Sequence, residues 1–374
     1  MHIALVAESM DRMRVGAIFS LNRYVTWLRE RGIKITIVTT GTPGEGKIIL
    51  DAFYPWYMKN AFKETDFVFA SPDRTILTNV FSNADVVHVA FPFQLGKAAV
   101  SLARKMNKPL LASFHVQPEN LLYAINAEKI ILLRLIMYKM FIASYFNKAD
   151  LVHCPSSFAA DELAGNGCRR PMKVISNGIP TNIKPIRIPK PAEYKDYFII
   201  FCHGRFAREK RQCDLIDAVA QSHYKDRIKL IISGMGPTES ALREQAAKVC
   251  NDAVITYLSD EELVRHLQFS DIFVHSSLID LESLSCLEAI GSGMVPLIAK
   301  AKASASTQFA LDDRSIFPVG DIATLTKKID YWFENREELQ KMNAKYIEFS
   351  KQFSADKITD EVISVYEQLL RKRN

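Results

Sequence analysis

The feature that most constrains the fold of this chain is a regular alternation of short apolar segments with helix-length amphipathic segments along its 374 residues. The short segments are rich in β-branched residues and lack polar alternation, which is typical of strands buried on both faces of a parallel sheet. The intervening segments are long enough to form the crossover helices that such a sheet requires. The sequence therefore predicts an α/β protein built from doubly wound parallel sheets.

The elements fall into two successive sets, one on either side of residue 180, which predicts two domains rather than one very large sheet. The predicted strands are Ile3–Ala7, Ile33–Thr39, Asp85–Ala90, Pro109–His115, Leu151–Pro155, Met172–Ser176, Tyr197–His203, Lys229–Ser233, Val254–Tyr257, Asp271–His275 and Val295–Ala299. The predicted helices are Gly16–Arg31, Leu95–Met106, Asn120–Phe146, Ser157–Ala164, Arg211–Ser222, Thr238–Val249, Glu261–Phe269, Ser285–Ser292 and Asp356–Leu370.

A proline-containing break separates the two sets. Pro185, Pro189 and Pro191 lie in a stretch without apolar periodicity, and segments of this kind are stiff, exposed connectors. We therefore predict a first domain over residues 1–185 and a second over residues 186–355. Two such domains would face each other across a cleft, and ligands bind beyond the carboxyl ends of the strands in sheets of this type.

Composition and charge narrow the functional classes. A net charge of +6 suits an anionic small ligand or an anionic membrane surface, and no arginine-rich stripe predicts nucleic-acid binding. The six cysteines have no metal-ligand spacing and are expected to be free thiols in a reducing compartment. The apolar stretch from Leu121 to Phe146 is interrupted by four charged residues, so we predict a long, mostly buried helix and no membrane span. We expect neither a signal peptide nor a location outside the cytoplasm.

Two loops of the first domain follow predicted strands. Gly16 begins a predicted helix after the first strand, and a glycine there lets backbone N–H groups approach an anion, although an ordinary helix start is an equal alternative. His115 ends an apolar strand, where an imidazole either bonds a ligand hydroxyl or is a structural histidine.

The loop after the first strand of the second domain carries four cations within seven residues, from Arg205 to Arg211. Arg205 and Lys210 are five residues apart across the turn, and a guanidinium fork and an ammonium together neutralise phosphate oxygens well. A solvated basic turn is the alternative. The position at a strand end favours a phosphate-binding site.

An acidic segment follows a later strand and runs into a short helix. Asp280, Glu282 and Glu288 are suited to accept hydrogen bonds from sugar hydroxyls, and the backbone N–H groups of Leu284 and Ser285 begin the helix and are suited to an anion. Acids that complement the helix dipole are the alternative for Asp280 and Glu282. Glu288 lies deeper in an apolar helix, where a carboxylate needs a partner.

Together these features resemble glycosyltransferase family 4, whose members have the GT-B fold, over essentially the whole chain. The residues that carry the resemblance are Phe114-His115, Cys154-Pro155-Ser156, Ser176-Asn177-Gly178-Ile179, Gly204-Arg205 with Lys210, Gly234-Met235-Gly236-Pro237, and Asp280 with Glu288. Each motif is weak alone, but their joint occurrence in this order is specific.

The resemblance implies a role for each matched residue. Arg205 and Lys210 would hold the donor diphosphate and support its departure, and His115 would lie near the transferred sugar, which makes these three the predicted catalytic residues. Asp280 would bind hydroxyls of the donor sugar, and Glu288 would bind the ribose of the nucleotide.

The sequence departs from the family pattern in two places. Asp280 stands where the family has a longer glutamate, and Glu282 and Ser283 stand where it usually has phenylalanine and glycine, so the sugar contact falls to Asp280, to Glu282 or to both. Gly16 lacks the second glycine that many members have. The predicted donor-binding set also includes the N–H groups of Leu284 and Ser285.

The resemblance also implies a retaining hexosyltransferase that uses a nucleotide-sugar, with a UDP-sugar favoured over a GDP-sugar, and that needs neither metal nor cofactor. The acceptor would be a lipid or a glycan. A non-catalytic or degenerate sugar-nucleotide-binding protein and a nucleotide-sugar epimerase of the same fold are the alternatives.

Two further segments bear on the acceptor. Phe53–Lys63 is an aromatic run with two lysines, which is either an interfacial lipid contact or part of the core, and Asn120–Phe146 has the same two interpretations. A helix over residues 356–374 would, by the family resemblance, cross back to complete the first domain. We expect a cytoplasmic protein with peripheral contact to the inner face of the cell membrane.

Overall fold

The computed structural model describes residues 1–11, 16–53, 68–250 and 252–372, and the chain divides into two compact units. Unit 1 consists of Met1–Asn177 and Ala355–Asn374, and unit 2 consists of Gly178–Ser354. The change of unit at Gly178 comes before the prolines from which the boundary at residue 185 was predicted.

Unit 1 contains a parallel sheet whose described strands have the order β3-β2-β1-β6-β7-β8-β9, and β4 pairs with β5 in a separate antiparallel ribbon. The central strands are buried along their whole length, as their uninterrupted apolar sequences require. The strands are β1 (His2–Ser9), β2 (Lys34–Thr40), β3 (Lys47–Ile49), β4 (Ala52–Phe53), β5 (Phe69–Ala70), β6 (Val86–Val89), β7 (Leu110–Ser113), β8 (Leu151–Cys154) and β9 (Met172–Val174).

Unit 2 contains a second parallel sheet, with the order β12-β11-β10-β13-β15-β17, and β14 pairs with β16 beside it. Its core is formed by both faces of this sheet and includes the fully buried Trp332 and Phe201. The strands are β10 (Phe198–His203), β11 (Ile228–Ser233), β12 (Val254–Thr256), β13 (Ile272–His275), β14 (Ile279–Asp280), β15 (Val295–Lys300), β16 (Ala303–Ser304) and β17 (Ile316–Pro318).

Helices cover both sheets. They are α1 (Gly16–Glu30), α2 (Arg74–Asn83), α3 (Gln94–Lys105), α4 (Pro118–Ala124), α5 (Ile131–Ser144), α6 (Ser157–Gly165), α7 (Gln212–Gln221), α8 (Glu239–Val249), α9 (Asp260–Phe269), α10 (Leu284–Gly291), α11 (Ile322–Glu334), α12 (Arg336–Ser350) and α13 (Ala355–Arg371). None of the described helices is both long and apolar enough to cross a membrane.

The last helix, α13, packs on unit 1. Its apolar stripe, which includes Val362 and Val365, joins the core of that unit, and Arg31 at the end of α1 pairs with Asp356 at 2.8 Å and with Asp360 at 2.7 Å. Because the carboxylates are largely exposed, these ion pairs contribute little beside the buried apolar stripe.

The segment from Asn120 to Phe146 differs from the prediction. It forms two helices, α4 and α5, and Asn126 between them has a positive φ of 55°. The prediction that it is mostly buried is also wrong, because large apolar residues such as Leu132 and Ile136 are exposed. Hydrophobicity predicted burial correctly for one side of α5, with Phe141 and Ile142, and for a few residues on either side of that helix, such as Leu122 and Phe146.

Candidate functional site

The strand order of unit 2 places the loop after β10 next to the loop after β13. From β10, the chain continues to β11 and β12 on one side, and then crosses to β13 on the other side. The loops after β10 and β13 therefore diverge at their carboxyl ends, which is where parallel sheets of this type form ligand-binding crevices. These are the two loops that hold the predicted cations and acids.

A glycine turn supports the loop after β10. The N–H of Gly204 donates to Ser233 O at 3.0 Å, and the N–H of Phe206 donates to Met235 O at 2.8 Å. A Cβ on Gly234 would lie 1.9 Å from Gly204 O, so no larger residue fits there without moving the backbone. The Gly234-Met235-Gly236 turn is therefore explained by close packing against this loop.

Arg205 follows directly and is anchored at both its ends. Its guanidinium donates to the carboxylate of Glu209, four residues later, and its carbonyl oxygen accepts from Gln212 Nε2 at 2.9 Å. Glu209 is buried, whereas the Arg205 side chain remains about one-third exposed. The remaining N–H groups of the planar guanidinium are suited to two oxygens of an anion such as a phosphate.

Lys210 joins the two loops. Its Nζ donates to Asp280 Oδ1 at 2.7 Å, and its own carbonyl oxygen accepts from Ser276 Oγ at 2.8 Å. A second backbone contact, from Leu278 N–H to Glu209 O at 2.8 Å, runs parallel to it. The cation predicted for the diphosphate and an acid predicted for the sugar are thus direct partners.

The Asp280 side chain is mostly buried, with 13% of it exposed, and is held from two sides. Besides Lys210, His275 Nε2 donates to Asp280 Oδ2 at 2.9 Å. Burial by itself raises the pKa of the Asp280 carboxyl, but the Lys210 ammonium and the His275 hydrogen bond outweigh it and hold the pKa well below its usual range. Asp280 is therefore ionised at neutral pH.

His275 is neutral in this arrangement. Burial lowers its pKa, although Asp280 opposes this effect. Because Nε2 carries the proton that Asp280 accepts, Nδ1 accepts from Ser285 Oγ at 3.4 Å. The backbone of Asp280 is fixed as well, since β14 pairs with β16 and Ala305 N–H donates to Asp280 O at 2.8 Å.

Glu288 lies on the buried side of α10, as the sequence predicted for a helix that is apolar around it. Its Oε2 is 3.2 Å from His203 Nε2 at the end of β10. The helix begins at Leu284, and the cap residue Ser283 accepts from Cys286 N–H at 3.2 Å. The N–H groups of Leu284 and Ser285 are the first of this helix and have no partner within its own ladder.

The other charged groups of the two loops differ in their roles. Glu282 is buried and Asp280 is nearly so, so burial does not decide between these two acids for the sugar contact. Arg211 donates from Nε and from Nη2 to the two carboxylate oxygens of Asp214, at 2.6 and 2.7 Å, on the first turn of α7. The count of four cations from Arg205 to Arg211 therefore overstates the charge that the loop offers to a ligand.

His115 lies in unit 1, two residues after β7. Its Nε2 is buried, and no described residue forms a hydrogen bond to it. Burial first, and then the neighbouring His153 and His88, lower the pKa of His115 well below its usual range. A neutral ring with an unsatisfied nitrogen is suited to a ligand hydroxyl.

A buried hydrogen-bond chain runs beside His115. Because the Ile175 carbonyl only accepts, His153 Nε2 donates to it at 2.8 Å, and His153 Nδ1 accepts from Ser113 Oγ at 3.0 Å. Ser113 Oγ accepts in turn from His88 Nε2 at 2.7 Å, so His88 Nδ1 accepts from the Tyr366 hydroxyl at 2.8 Å. This hydrogen-bond chain connects α13 to the sheet of unit 1, and every bond in it has its donor on the side of Tyr366.

Gly16 is the first residue of α1, as predicted, and Ser20 Oγ donates to its carbonyl oxygen at 3.1 Å. The loop before it, residues 12–15, lies outside the described residues, as does most of the aromatic run Phe53–Lys63. The predicted anion contact of Gly16 and the predicted lipid contact of the aromatic run both stay predictions.

Among the predicted residues of unit 2, the structure joins Lys210 directly to Asp280. His275 then links Asp280 to Ser285 by one hydrogen bond to each. It adds three residues to which the sequence analysis gave no role: His203, Glu209 and His275. A signal was present for both histidines, because each ends an apolar strand just as His115 was predicted to do. Among the described residues, no group of three or more histidine, cysteine, aspartate or glutamate side chains is arranged to hold a metal ion.

Two family models match consecutive halves of the chain. Residues 17–183 match Glycosyltransferase Family 4, and residues 184–353 match Glycosyl transferases group 1.

Individual relatives are more distant. The alpha-monoglucosyldiacylglycerol synthase of Streptococcus pneumoniae is 25% identical over 319 residues, which cover 80% of this chain and 71% of that protein. The GDP-mannose-dependent alpha-mannosyltransferase of Corynebacterium glutamicum is 28% identical over 225 residues, which cover 58% of this chain and 51% of that protein. Among solved structures, Anabaena HepE in complex with UDP-glucose matches with a TM-score of 0.76 and 14% identity, over 98% of this chain and 100% of that one.

Proposed function

Since the chain belongs to glycosyltransferase family 4, a retaining family of GT-B fold, we propose that it transfers a hexose from a nucleotide-sugar to a lipid acceptor at the cytoplasmic face of the cell membrane. The observation that carries the donor half of this proposal is the grouping of Arg205, Lys210 and Asp280 at the carboxyl ends of β10 and β13. Glu288 belongs to the same grouping through its contact with His203 at the end of β10.

In this proposal Arg205 and Lys210 stabilise the diphosphate as it leaves. The bond between the anomeric carbon and the diphosphate oxygen breaks, and the negative charge that develops is met by two preorganised cations. They supply the charge that a divalent metal supplies in other transferases, so the reaction is proposed to be metal-independent. The acceptor hydroxyl attacks from the face that the diphosphate leaves, and its proton passes to the departing phosphate.

The buried acids would orient the donor. Asp280, which is ionised, accepts a hydrogen bond from a sugar hydroxyl, with Glu282 as a second acceptor for the same sugar. Glu288 accepts from the ribose, and the N–H groups of Leu284 and Ser285 face the phosphate. His115 and Gly16 in unit 1 stay in the proposal on the family resemblance, as contacts to the transferred sugar and to an anion.

The choice of lipid acceptor rests on the relative that covers the larger share of the chain, whose name gives a glucosylated diacylglycerol as its product. A UDP-sugar is favoured as donor, and a GDP-sugar is the alternative because a second relative is named for GDP-mannose. Either donor would place its diphosphate on Arg205 and Lys210.

A thermal-shift series tests the donor site. The purified protein is melted with UDP, GDP, ADP and their sugars, each with and without EDTA. A nucleotide at a hundredfold excess over its Kd adds about 2.7 kcal/mol to the free energy of unfolding, which raises the melting temperature. Stabilisation by UDP or UDP-sugars that EDTA does not remove is the expected result. Loss of the shift with EDTA would contradict metal independence.

Transfer to lipid tests the acceptor half. The stabilising donor is incubated with vesicles that contain diacylglycerol, and the products are separated by chromatography. Glycolipid formation is expected. Donor binding without turnover would favour a non-catalytic binding protein, conversion of the donor without acceptor would favour an epimerase, and transfer to an oligosaccharide alone would favour a glycan acceptor.

A further inference from the structure

The outer face of α5 is apolar and exposed. The large apolar side chains on this face and in the turn before the helix are between 38% and 67% exposed, and they are Ile125, Ile130, Ile131, Leu132, Leu135, Ile136 and Met140. Within the helix, Leu132, Leu135, Ile136 and Met140 follow one another at intervals of three, one and four residues and so share one side. We call this set the outer face.

The opposite side of α5 carries its polar contacts. The Tyr138 hydroxyl donates to Glu119 at 3.1 Å and lies 3.3 Å from Glu162, and Arg134 donates to Glu119 at 3.1 Å. Phe141 and Ile142 are buried beside them. These paired polar groups and buried apolar residues hold α5 to the rest of unit 1 by one side, and they leave the apolar residues of the outer face exposed on the other.

Within the segment that carries the outer face, the exposed charges have one sign. Throughout residues 120–149, all of which the structure describes, the exposed charged residues are Lys129 and Lys139, and no carboxylate is exposed. Apolar patches of this kind on soluble proteins mark interaction surfaces, and lysines around an apolar helical face suit anionic headgroups around an acyl region. At 14 residues, α5 is shorter than the roughly 20 residues needed to span a bilayer, so a membrane contact of this helix would be interfacial.

We propose that the outer face of α5 docks the protein on an anionic lipid bilayer, with Leu132 and Ile136 at the acyl boundary and Lys129 and Lys139 at the headgroups. The inference deepens the proposed function and rests on it in one respect, because the same membrane would supply the lipid acceptor. The proposal assigns the membrane contact of the protein to the outer face of α5.

Vesicle sedimentation with the full chain tests this surface. The vesicles contain phosphatidylcholine alone or phosphatidylcholine with phosphatidylglycerol, and no donor is added. The double variant Leu132→Ser/Ile136→Ser is expected to lose at least about tenfold in vesicle affinity, because two anchoring side chains are removed. Its melting temperature is expected to stay unchanged, because both residues are already exposed.

Two further variants make the test specific. Lys129→Glu/Lys139→Glu is expected to weaken binding to phosphatidylglycerol vesicles by about fivefold or more per lysine, with a much smaller effect on phosphatidylcholine alone. Ile186→Ser/Val249→Ser removes two exposed apolar residues of unit 2 and is the matched control, which should bind as the unaltered chain does.

Equal vesicle binding by the outer-face variant and the unaltered chain would overturn the proposal. So would a concentration-dependent dimer that Leu132→Ser/Ile136→Ser abolishes in a chain that never binds vesicles, because the face would then cover a second copy. UDP binding, measured on the same variants, distinguishes a failure of the docking surface from a failure of the proposed donor site. Vesicle binding without glycolipid formation would leave the docking surface standing and contradict the proposed transfer.

Discussion

Lys210 and Asp280, which belong to loops 70 residues apart in the sequence, form an ion pair of 2.7 Å at the switch point of the unit 2 sheet. The pair does not use all the hydrogen-bonding capacity of the Lys210 ammonium. The ammonium has three protons, of which Asp280 accepts one and the carbonyl of Ile279, at 3.5 Å, lies near another. The carboxylate fixes where the cation stands, so a diphosphate would meet a positioned charge rather than a mobile lysine.

Replacing Lys210 by methionine is expected to weaken nucleoside diphosphate binding and to lower the transfer rate by about 100- to 1000-fold, the usual cost of removing one group that stabilises developing charge. It also leaves Asp280 buried without its main counter-charge, so the free energy of unfolding at neutral pH should fall. Calorimetric titration, initial rates and urea unfolding measure the three effects. Lys248→Met, on an exposed lysine of α8, is the control, and an equal response of both variants would contradict the role of Lys210.

Arg205→Ala is expected to abolish transfer and also to destabilise the protein, because Glu209 is buried and would lose its partner. Adding Glu209→Gln removes the uncompensated charge and should restore most of the melting temperature without restoring activity. Comparing the single and double variants by thermal melts and by donor affinity separates the two roles. Recovery of activity in the double variant would mean that Arg205 acts only on Glu209.

Glu288→Gln is expected to weaken nucleoside diphosphate binding by about tenfold, because the amide offers one acceptor where the carboxylate offers a charged pair. Binding of inorganic pyrophosphate, which has no ribose, should change far less. Calorimetry with both ligands is the measurement. Equal losses for the two ligands would place Glu288 near the phosphates or in a structural role with His203, rather than at the ribose.

Much of the fold was readable from the sequence, and the predicted family membership and GT-B fold are confirmed. Each predicted strand is present within a few residues of its bounds because a continuous apolar run between helices has few alternatives. Several elements were not predicted, namely helices α2, α11 and α12 and strands β3, β4, β5, β14, β16 and β17. The exposed face of α5 corresponds to one of the two interpretations left open for Asn120–Phe146, since hydrophobicity alone does not indicate what covers a surface.

The candidate site was predicted one residue at a time, and its pairings were not. Strand ends indicated which loops meet, but the partner of Lys210 depends on how far two loops bend toward each other. Arg205 and Glu209 are only four residues apart, but Arg205 lies outside a helix, so the helical i, i+4 rule did not predict their pairing. His275 and His203 share the strand-end position that drew attention to His115, so the same criterion identifies all three.

Gly234→Ala tests whether the glycine turn positions the loop after β10. The added Cβ would lie 1.9 Å from Gly204 O and 2.8 Å from the Phe206 ring, so the loop must move. We expect a loss of about 1–3 kcal/mol in the free energy of unfolding and a fall in transfer rate, because Arg205 shifts with the backbone. Gly165→Ala, where the Cβ meets nothing within 4 Å, is the matched control and should leave both unchanged. Full activity in Gly234→Ala would contradict the positioning role.

The histidine chain of unit 1 predicts a pH dependence of stability. Burial lowers the pKa of His88 to about 3 and the pKa of His153 to about 4, against about 6.5 in the unfolded chain. As the pH falls below 6.5, the unfolded chain takes up protons that the folded chain does not, so the free energy of unfolding falls, until about pH 4 for the contribution of His153 and about pH 3 for that of His88. Each histidine adds a slope of up to about 1.4 kcal/mol per pH unit in that window. His153→Gln keeps one donor and one acceptor but has no titrating ring. Urea unfolding between these pH values should therefore show a slope of free energy against pH that is smaller by about the contribution of one histidine. An unchanged slope would mean that His153 is protonated in the folded state.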